Sequence, residues 1–388
     1  MFHRDLYFNQ IKNFIGKDII KVITGFRRSG KSVFLKQIMD SIDSNSKVYL
    51  NFEKKINEKY RDENELNSYL ESQIKPNQKT YIFLDEIQLV EGFESVLSSL
   101  KASYDVDLYI TGSNSRLLSG ELATLLAGRY VSILMLPFSY KEFKQVRLDA
   151  SFEDYIVEGG MPMVSDLELA DRERRMILED IFNSVILKDI IDRNKIRDVS
   201  VLEKLITYVI SEVGHVFSAN SISKYLKSQR QNVSINTVIN YLKACQAAYL
   251  FNAVPFEDAK GKSIFNVNDK YYVIDQGMRD AIIGNNFESI ELILENIVYY
   301  ELLRRGFKVT VGRNGSKEID FIARKSGKVE YYQVTYIMGA KETRDREFSA
   351  YDGIADNFPK FVLSTDRLDF SQNGIVHRNI EDWLLEDY

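Results

Sequence analysis

The stretch Ile20–Ser32, IKVITGFRRSGKS, constrains this chain more than any other. An apolar run through Ile23 enters a loop opened by Gly25 and closed by Gly30-Lys31-Ser32, and a helical pattern, VFLKQIMDSI, begins at once. Every fixed position of G-x-x-x-x-G-K-[ST] is satisfied, in the strand–loop–helix order that gives the pattern meaning. Glycines let backbone N–H groups turn around a triphosphate, and the helix N-terminus behind them favours negative charge. Gly25, Arg27, Arg28, Ser29, Gly30, Lys31, Ser32 and Val33 are therefore the expected nucleotide-binding residues. Lys31 is expected at the β/γ-phosphates of ATP, and the Ser32 hydroxyl on Mg²⁺. The bland alternative is a glycine-containing turn that happens to carry Lys-Ser.

A second motif removes most of that alternative. Tyr81–Gln88, YIFLDEIQ, reads as a buried strand delivering Asp85 and Glu86 at its C-terminal end, where open α/β sheets bind ligands. Asp85 suits a water-mediated hold on Mg²⁺, and Glu86 suits orientation and deprotonation of the attacking water. Asp107–Thr111 then runs into Gly112-Ser113-Asn114-Ser115. Asn114 at that tip is a candidate contact to the γ-phosphate or the water, or it is a plain Asn/Ser turn. Arg129 and Arg116 are candidates for an arginine that stabilises transition-state charge, against the commoner fate of a solvated arginine. Alternating strands and helices with short connections predict a mostly parallel sheet covered on both faces.

At 388 residues the chain is long enough for about two to three domains. Its single cysteine, Cys245, excludes a disulfide framework and fits a reducing cytoplasm; no membrane span or signal-peptide core is evident. The net charge of −5 gives no global nucleic-acid signature, so a basic surface must be local.

The motifs GFRRSGKS (25–32), IFLDEIQ (82–88), ITGSNS (110–115) and LAGRY (126–130) resemble those of AAA-type ATPases of bacteria and archaea that carry a C-terminal domain of unknown function 4143. PFSYKEF (137–143), EGGMP (158–162) and LENIVYYELLRRGF (294–307) extend the resemblance over nearly the whole chain. It implies an α/β P-loop, AAA-like parallel sheet sandwiched by helices (1–137). A winged helix-turn-helix (199–286) and an α+β restriction-endonuclease-like domain (287–388) are implied to follow, and the helical pattern between, 138–198, reads as a lid.

The residues support parts of that outline. Arg172–Asp192 reads as one long amphipathic helix. Ser218 and Ser234 are plausible N-caps of two further helices, and short strands follow at 249–254 and 263–267, a winged-helix pattern. Residues 215–265 hold six Lys/Arg against two Asp/Glu. Lys224, Lys227, Arg230, Lys243, Lys260 and Lys262 are candidate phosphate contacts, with Ser234, Asn236, Thr237 and Asn240 along the recognition helix; the alternative is a winged helix that contacts only protein. Glu295, Asp320 and Gln333 echo a restriction-type nuclease site, but Thr335 stands where such a site needs lysine and Gln333 replaces a carboxylate. Lys341 is a possible substitute. An inactive scaffold is the expectation. Function is thus read as Mg²⁺-dependent ATP hydrolysis coupled to DNA, or a nucleotide switch for a protein partner, with an active nuclease last.

Overall fold

The computed structural model describes residues 2–118, 128–165, 169–259 and 264–387. Residues 121–127, Lys260 and Lys262 lie outside these residues, as does the side chain of Arg116. Two compact units are formed: Met1–Leu136 with Ala247–Tyr249, and Pro137–Gln246 with Leu250–Tyr388.

In the first unit every residue of Ile20–Gly25 (β1) and Val106–Gly112 (β4) is buried, as strands covered on both faces must be. With Lys47–Asn51 (β2), Thr80–Asp85 (β3) and Tyr130–Met135 (β5) they make a five-stranded parallel sheet, order β2-β3-β4-β1-β5. Alternate side chains feed two cores. Ile20, Val22, Ile82, Leu84, Leu108 and Ile110 share one with Leu66 and Leu70 of the helix Glu63–Gln73 and Leu97 and Leu100 of Phe93–Ser103. Ile23, Phe83 and Tyr109 face the other, with Phe34, Leu35 and Ile38 of Lys31–Ser41 and Tyr7 and Ile11 of Asp5–Ile11. Each fully buried side chain of this kind contributes about 2 kcal/mol of transfer free energy. Because all strands run one way, Gly25, Asn51, Asp85 and Gly112 end at the same edge. At the other end, Lys21 and Asp107 form a fully buried ion pair. The Tyr109 hydroxyl and the Gly16 N–H donate to Asp107 at 2.8 and 2.7 Å.

The second unit begins with the helices Tyr140–Val146, Phe152–Glu158 and Asp171–Ser184. The expected single helix to Asp192 changes at Ser184: Val185–Asp192 is a π-helix, whose wider turn keeps Val185, Ile186, Asp189 and Ile190 buried together. The helices Val199–Ser211, Ala219–Ser228 and Ile235–Ala247 follow. Ser218 and Ser234 cap the last two, accepting the N–H of Ser221 and Thr237 at 3.1 Å.

Val216–Phe217 (β6), Phe251–Asp258 (β7) and Ile264–Val273 (β8) do not form a separate ribbon. β7 pairs in parallel with Lys308–Asn314 (β9), Phe256 opposite Val311. Lys317–Lys325 (β10), Lys328–Val334 (β11), Lys360–Ser364 (β12) and Val376–Asn379 (β13) complete one eight-stranded sheet, order β13-β12-β11-β10-β9-β7-β8-β6. Stretches on either side of residue 286 thus share hydrogen-bonded strands. A helix covers Lys341–Ser349; the chain leaves it through a turn with Gly353 at φ +71°. Among the described residues no helix is long and apolar enough to cross a membrane.

Candidate active site

The loop after β1 is shaped by close approach. Gly25, at φ +145°, lies opposite Met135 of β5, and a Cβ on it would stand 2.1 Å from the Met135 carbonyl oxygen. Only glycine lets the strand end so near its neighbour. Arg28 and Gly30 adopt φ +67° and +97°, left-handed turns that wind the loop onto the helix at Lys31. At Arg28 that conformation costs about 1–2 kcal/mol. Buried Arg4 secures the loop from outside the motif, donating to the carbonyls of Ser29 (3.3 Å) and Leu136 (3.1 Å). Arg27 donates to Glu53 at 3.0 Å, while Arg28 and Val33 are exposed. The Ser29 hydroxyl is buried with no hydrogen-bond partner among the described residues.

Lys31 lies inside this loop. Its ammonium donates to the carbonyls of Gly25 (3.1 Å) and Phe26 (2.9 Å) and stands 3.9 Å from Glu86 Oε1. Ser32 follows on the helix, and its hydroxyl donates to Asp85 Oδ1 at 3.0 Å. Asp85 is completely buried and accepts three further bonds, from Thr111 (2.6 Å), Tyr49 (2.9 Å) and Asn51 (2.6 Å). Four donors on one carboxylate fix its rotamer and compensate its burial. Asn51 is held in the right sense because its Oδ1 accepts the Glu53 N–H, which aims its Nδ2 at Asp85. Burial, and then the charge of Asp85, raise the Tyr49 phenol above its ordinary pKa, so it stays a donor. Glu86 turns left-handed at φ +58°. Gln88 Nε2 donates to its Oε2 at 2.5 Å.

A serine hydroxyl beside carboxylate oxygens is the donor chemistry of a hard cation such as Mg²⁺. Together with the unpartnered Ser29 hydroxyl and the glycine-shaped loop, it fits a metal-bound phosphate. The structure therefore brings together Lys31, Ser32, Asp85 and Glu86. Asn114 is buried just past β4, the strand between β3 and β1.

Comparisons with known proteins bear on family and fold. The AAA domain family matches residues 17–144, and a Domain of unknown function (DUF8612) matches residues 149–289, a different number from that of the resemblance above. An uncharacterized protein of Haemophilus influenzae is 38% identical over 402 residues, covering 100% of this chain and 99% of that one. The chain belongs to this family of AAA-domain proteins. An uncharacterized protein of Methanocaldococcus jannaschii is 30% identical over 386 residues, covering 94% and 85% of the two chains. Among solved structures, the Walker-type ATPase PABY2304 of Pyrococcus abyssi has a TM-score of 0.52 at 13% identity, covering 73% of this chain and 96% of that one. The last likeness is one of fold.

For this AAA-domain protein one expected role is corrected by geometry. The Arg129 carbonyl accepts the Ile20 N–H at 2.8 Å, at the start of β1. Gly25 lies five residues further along, about 16 Å at the rise of a parallel strand. Arg129 is therefore at the opposite end of the sheet from Lys31 and does not reach the γ-phosphate position of its own chain. Arg4, Tyr49, Asn51, Gln88 and Thr111 were not singled out by sequence. Arg4, Tyr49 and Asn51 join the site through strand order or chain reversal and belong to no local pattern, whereas Gln88 and Thr111 sit inside IFLDEIQ and ITGSNS.

The terminal cluster is also corrected. Thr335 supplies no cation, and exposed Lys341 pairs with Asp345 at 2.7 Å on its own helix. Lys270 of β8 supplies one: its ammonium lies 3.0 Å from Glu295 and 2.6 Å from Glu318. Burial penalises that ammonium, but Glu295, Asp320 and Glu318 outweigh it and hold the pKa above the usual lysine range. The Tyr272 hydroxyl donates to Glu295 at 3.0 Å, and the Val334 N–H donates to Asp320 at 2.7 Å. Gln333 accepts the Asp320 N–H at 3.2 Å. Burial and the charge of Glu295 push Asp320 well above the usual carboxylate range. Among the described residues no group of three or more His, Cys, Asp or Glu is arranged to hold a metal.

Proposed function

We propose that this protein binds ATP with Mg²⁺ and hydrolyses it. The observation that carries the reading is the convergence of four side chains at one sheet edge: Lys31 3.9 Å from Glu86, and Ser32 3.0 Å from Asp85. Lys31 meets the β/γ-phosphates within the amide cradle of residues 25–33. Ser32 and Asp85 would hold Mg²⁺, which when bound would neutralise phosphate charge. Glu86 orients the attacking water and takes its proton, using the carboxylate oxygen that Gln88 leaves open. Asn114 contacts the γ-phosphate or that water.

The second unit is read as a helical lid, a winged helix and an inactive restriction-endonuclease-like domain. DNA contact is supported by the exposure of Lys224, Lys227, Arg230, Asn236, Asn240 and Lys243, the last three on one face of the helix Ile235–Ala247. So few charges support modest, salt-sensitive binding. A nucleotide switch for a protein partner is the second reading. The test is ATP hydrolysis by the purified chain and its Lys31→Ala variant, with and without duplex DNA at low and high salt. No turnover, or turnover unaffected by Lys31→Ala, rejects the hydrolytic reading. Turnover that DNA neither stimulates nor binds to at low salt moves the reading to the protein switch.

A further inference from the structure

β3 and β4 pair in parallel as far as Leu84 opposite Ile110, where the backbone ladder stops. One residue on, a side chain takes over. The Thr111 hydroxyl donates to Asp85 Oδ1 at 2.6 Å and accepts the Glu86 N–H at 2.9 Å. A hydroxyl has one proton to give and lone pairs to receive, so both uses are satisfied together and each orients the other. Thr111 is buried, and its branched Cβ restricts χ1, so this bridge has little freedom to swing.

What the bridge holds is not a relaxed piece of chain. Glu86 stands at φ +58°, ψ +47°, a region a glutamate occupies only where its surroundings enforce it. Its carbonyl accepts the Leu89 N–H at 3.1 Å, and its carboxylate accepts from Gln88. Both contacts lie within three residues along the chain. Thr111 alone of these ties the Glu86 backbone to another strand, and it does so through the atom that also fixes Asp85.

We infer that Thr111 is the positioning residue of this site, setting the cation-side carboxylate of Asp85 and the water-side carboxylate of Glu86 in one mutual geometry. The inference rests on the hydrolytic reading above and deepens it. Thr111 acts through the two residues it bonds, at the Asp85 carboxylate and the Glu86 backbone N–H.

The test compares the full-length wild type with Thr111→Val, Thr111→Ser and Glu86→Gln, by steady-state ATP turnover and calorimetric Mg-ATP binding. Thr111→Val preserves shape and removes the hydroxyl. Displacing the two carboxylates should lower kcat about 10- to 100-fold while the Kd for Mg-ATP changes less than about threefold. Thr111→Ser keeps the hydroxyl and should stay within about threefold of wild type in both. If Thr111→Val does not fold, Thr111→Cys, a weak donor of similar size, should show the same fall in kcat. Wild-type turnover in Thr111→Val overturns the inference. So does a Thr111→Ser variant as impaired as Thr111→Val, which assigns the effect to packing of the methyl group. A wild type that neither binds nor hydrolyses ATP, or a Glu86→Gln variant at full rate, overturns the hydrolytic reading and this inference with it.

Discussion

Glu86→Gln separates binding from chemistry at this site. In the wild type Glu86 Oε1 lies 3.9 Å from the Lys31 ammonium, with the two side chains only 10% and 4% exposed. At an effective dielectric of 20 that attraction is about 4 kcal/mol, much of it offset by desolvation. Glutamine removes it while keeping the shape and an oxygen for the Gln88 amide. Lys31 retains its two loop carbonyls, so the ammonium stays where a phosphate would meet it. An arriving phosphate no longer competes with a carboxylate for that ammonium. If about a third of the attraction survives desolvation, roughly 1.4 kcal/mol, ATP affinity rises about tenfold. Loss of the proton acceptor should lower the hydrolytic rate by about 10²- to 10⁴-fold. Single-turnover phosphate release and calorimetric ATP binding on the same preparation read both quantities. Hydrolysis at the wild-type rate, or ATP affinity weakened more than about tenfold, would refute this assignment.

Other variants test other parts of the structure. Arg129→Ala should leave ATP affinity and turnover within about twofold, since its strand places it about 16 Å along the sheet from the loop; a large fall in turnover would mean that a second copy supplies the arginine. Lys270→Met should destabilise the second unit by about 3–5 kcal/mol in denaturant unfolding, because it strands the buried carboxylate of Glu295. The wild type should show no Mg²⁺- or Mn²⁺-dependent DNA cleavage, and cleavage abolished by Asp320→Ala would reverse the reading of the terminal domain. Asp275, which accepts the N–H of Gly160 and of Met278, is raised by burial from 3.8 to about 6. A raised carboxyl favours the fold below 3.8 and loses that contribution as pH climbs through about 6, roughly 3 kcal/mol in all. Unfolding free energies measured from pH 4 to 7 should therefore fall less steeply with pH in Asp275→Asn than in wild type.

The gathering of Lys31, Ser32, Asp85 and Glu86 was legible because each pair is written contiguously. Gly25 to Ser32 lie on one strand, one loop and one helix turn, and Asp85-Glu86 end one strand, so spacing along the chain is nearly spacing in space. The strand read at Asp107–Thr111 likewise appears at Val106–Gly112, since buried parallel strands are short apolar runs. The Ser218 and Ser234 caps were visible for the same reason: a cap bonds two or three residues away. Strand order was not written in any one segment. It places β4 between β3 and β1, and so makes Thr111 the neighbour of Asp85 and Glu86; it sets Asn51 opposite Asp85 and carries Arg129 to the far edge. The sheet joining β8 to β7 and β9 brings Lys270 to Glu295, a cation that no reading of residues 287–388 alone can find. These are hydrogen bonds between distant parts of the chain, fixed by which edges pair and in what register, and neither periodicity nor motif spacing encodes that choice.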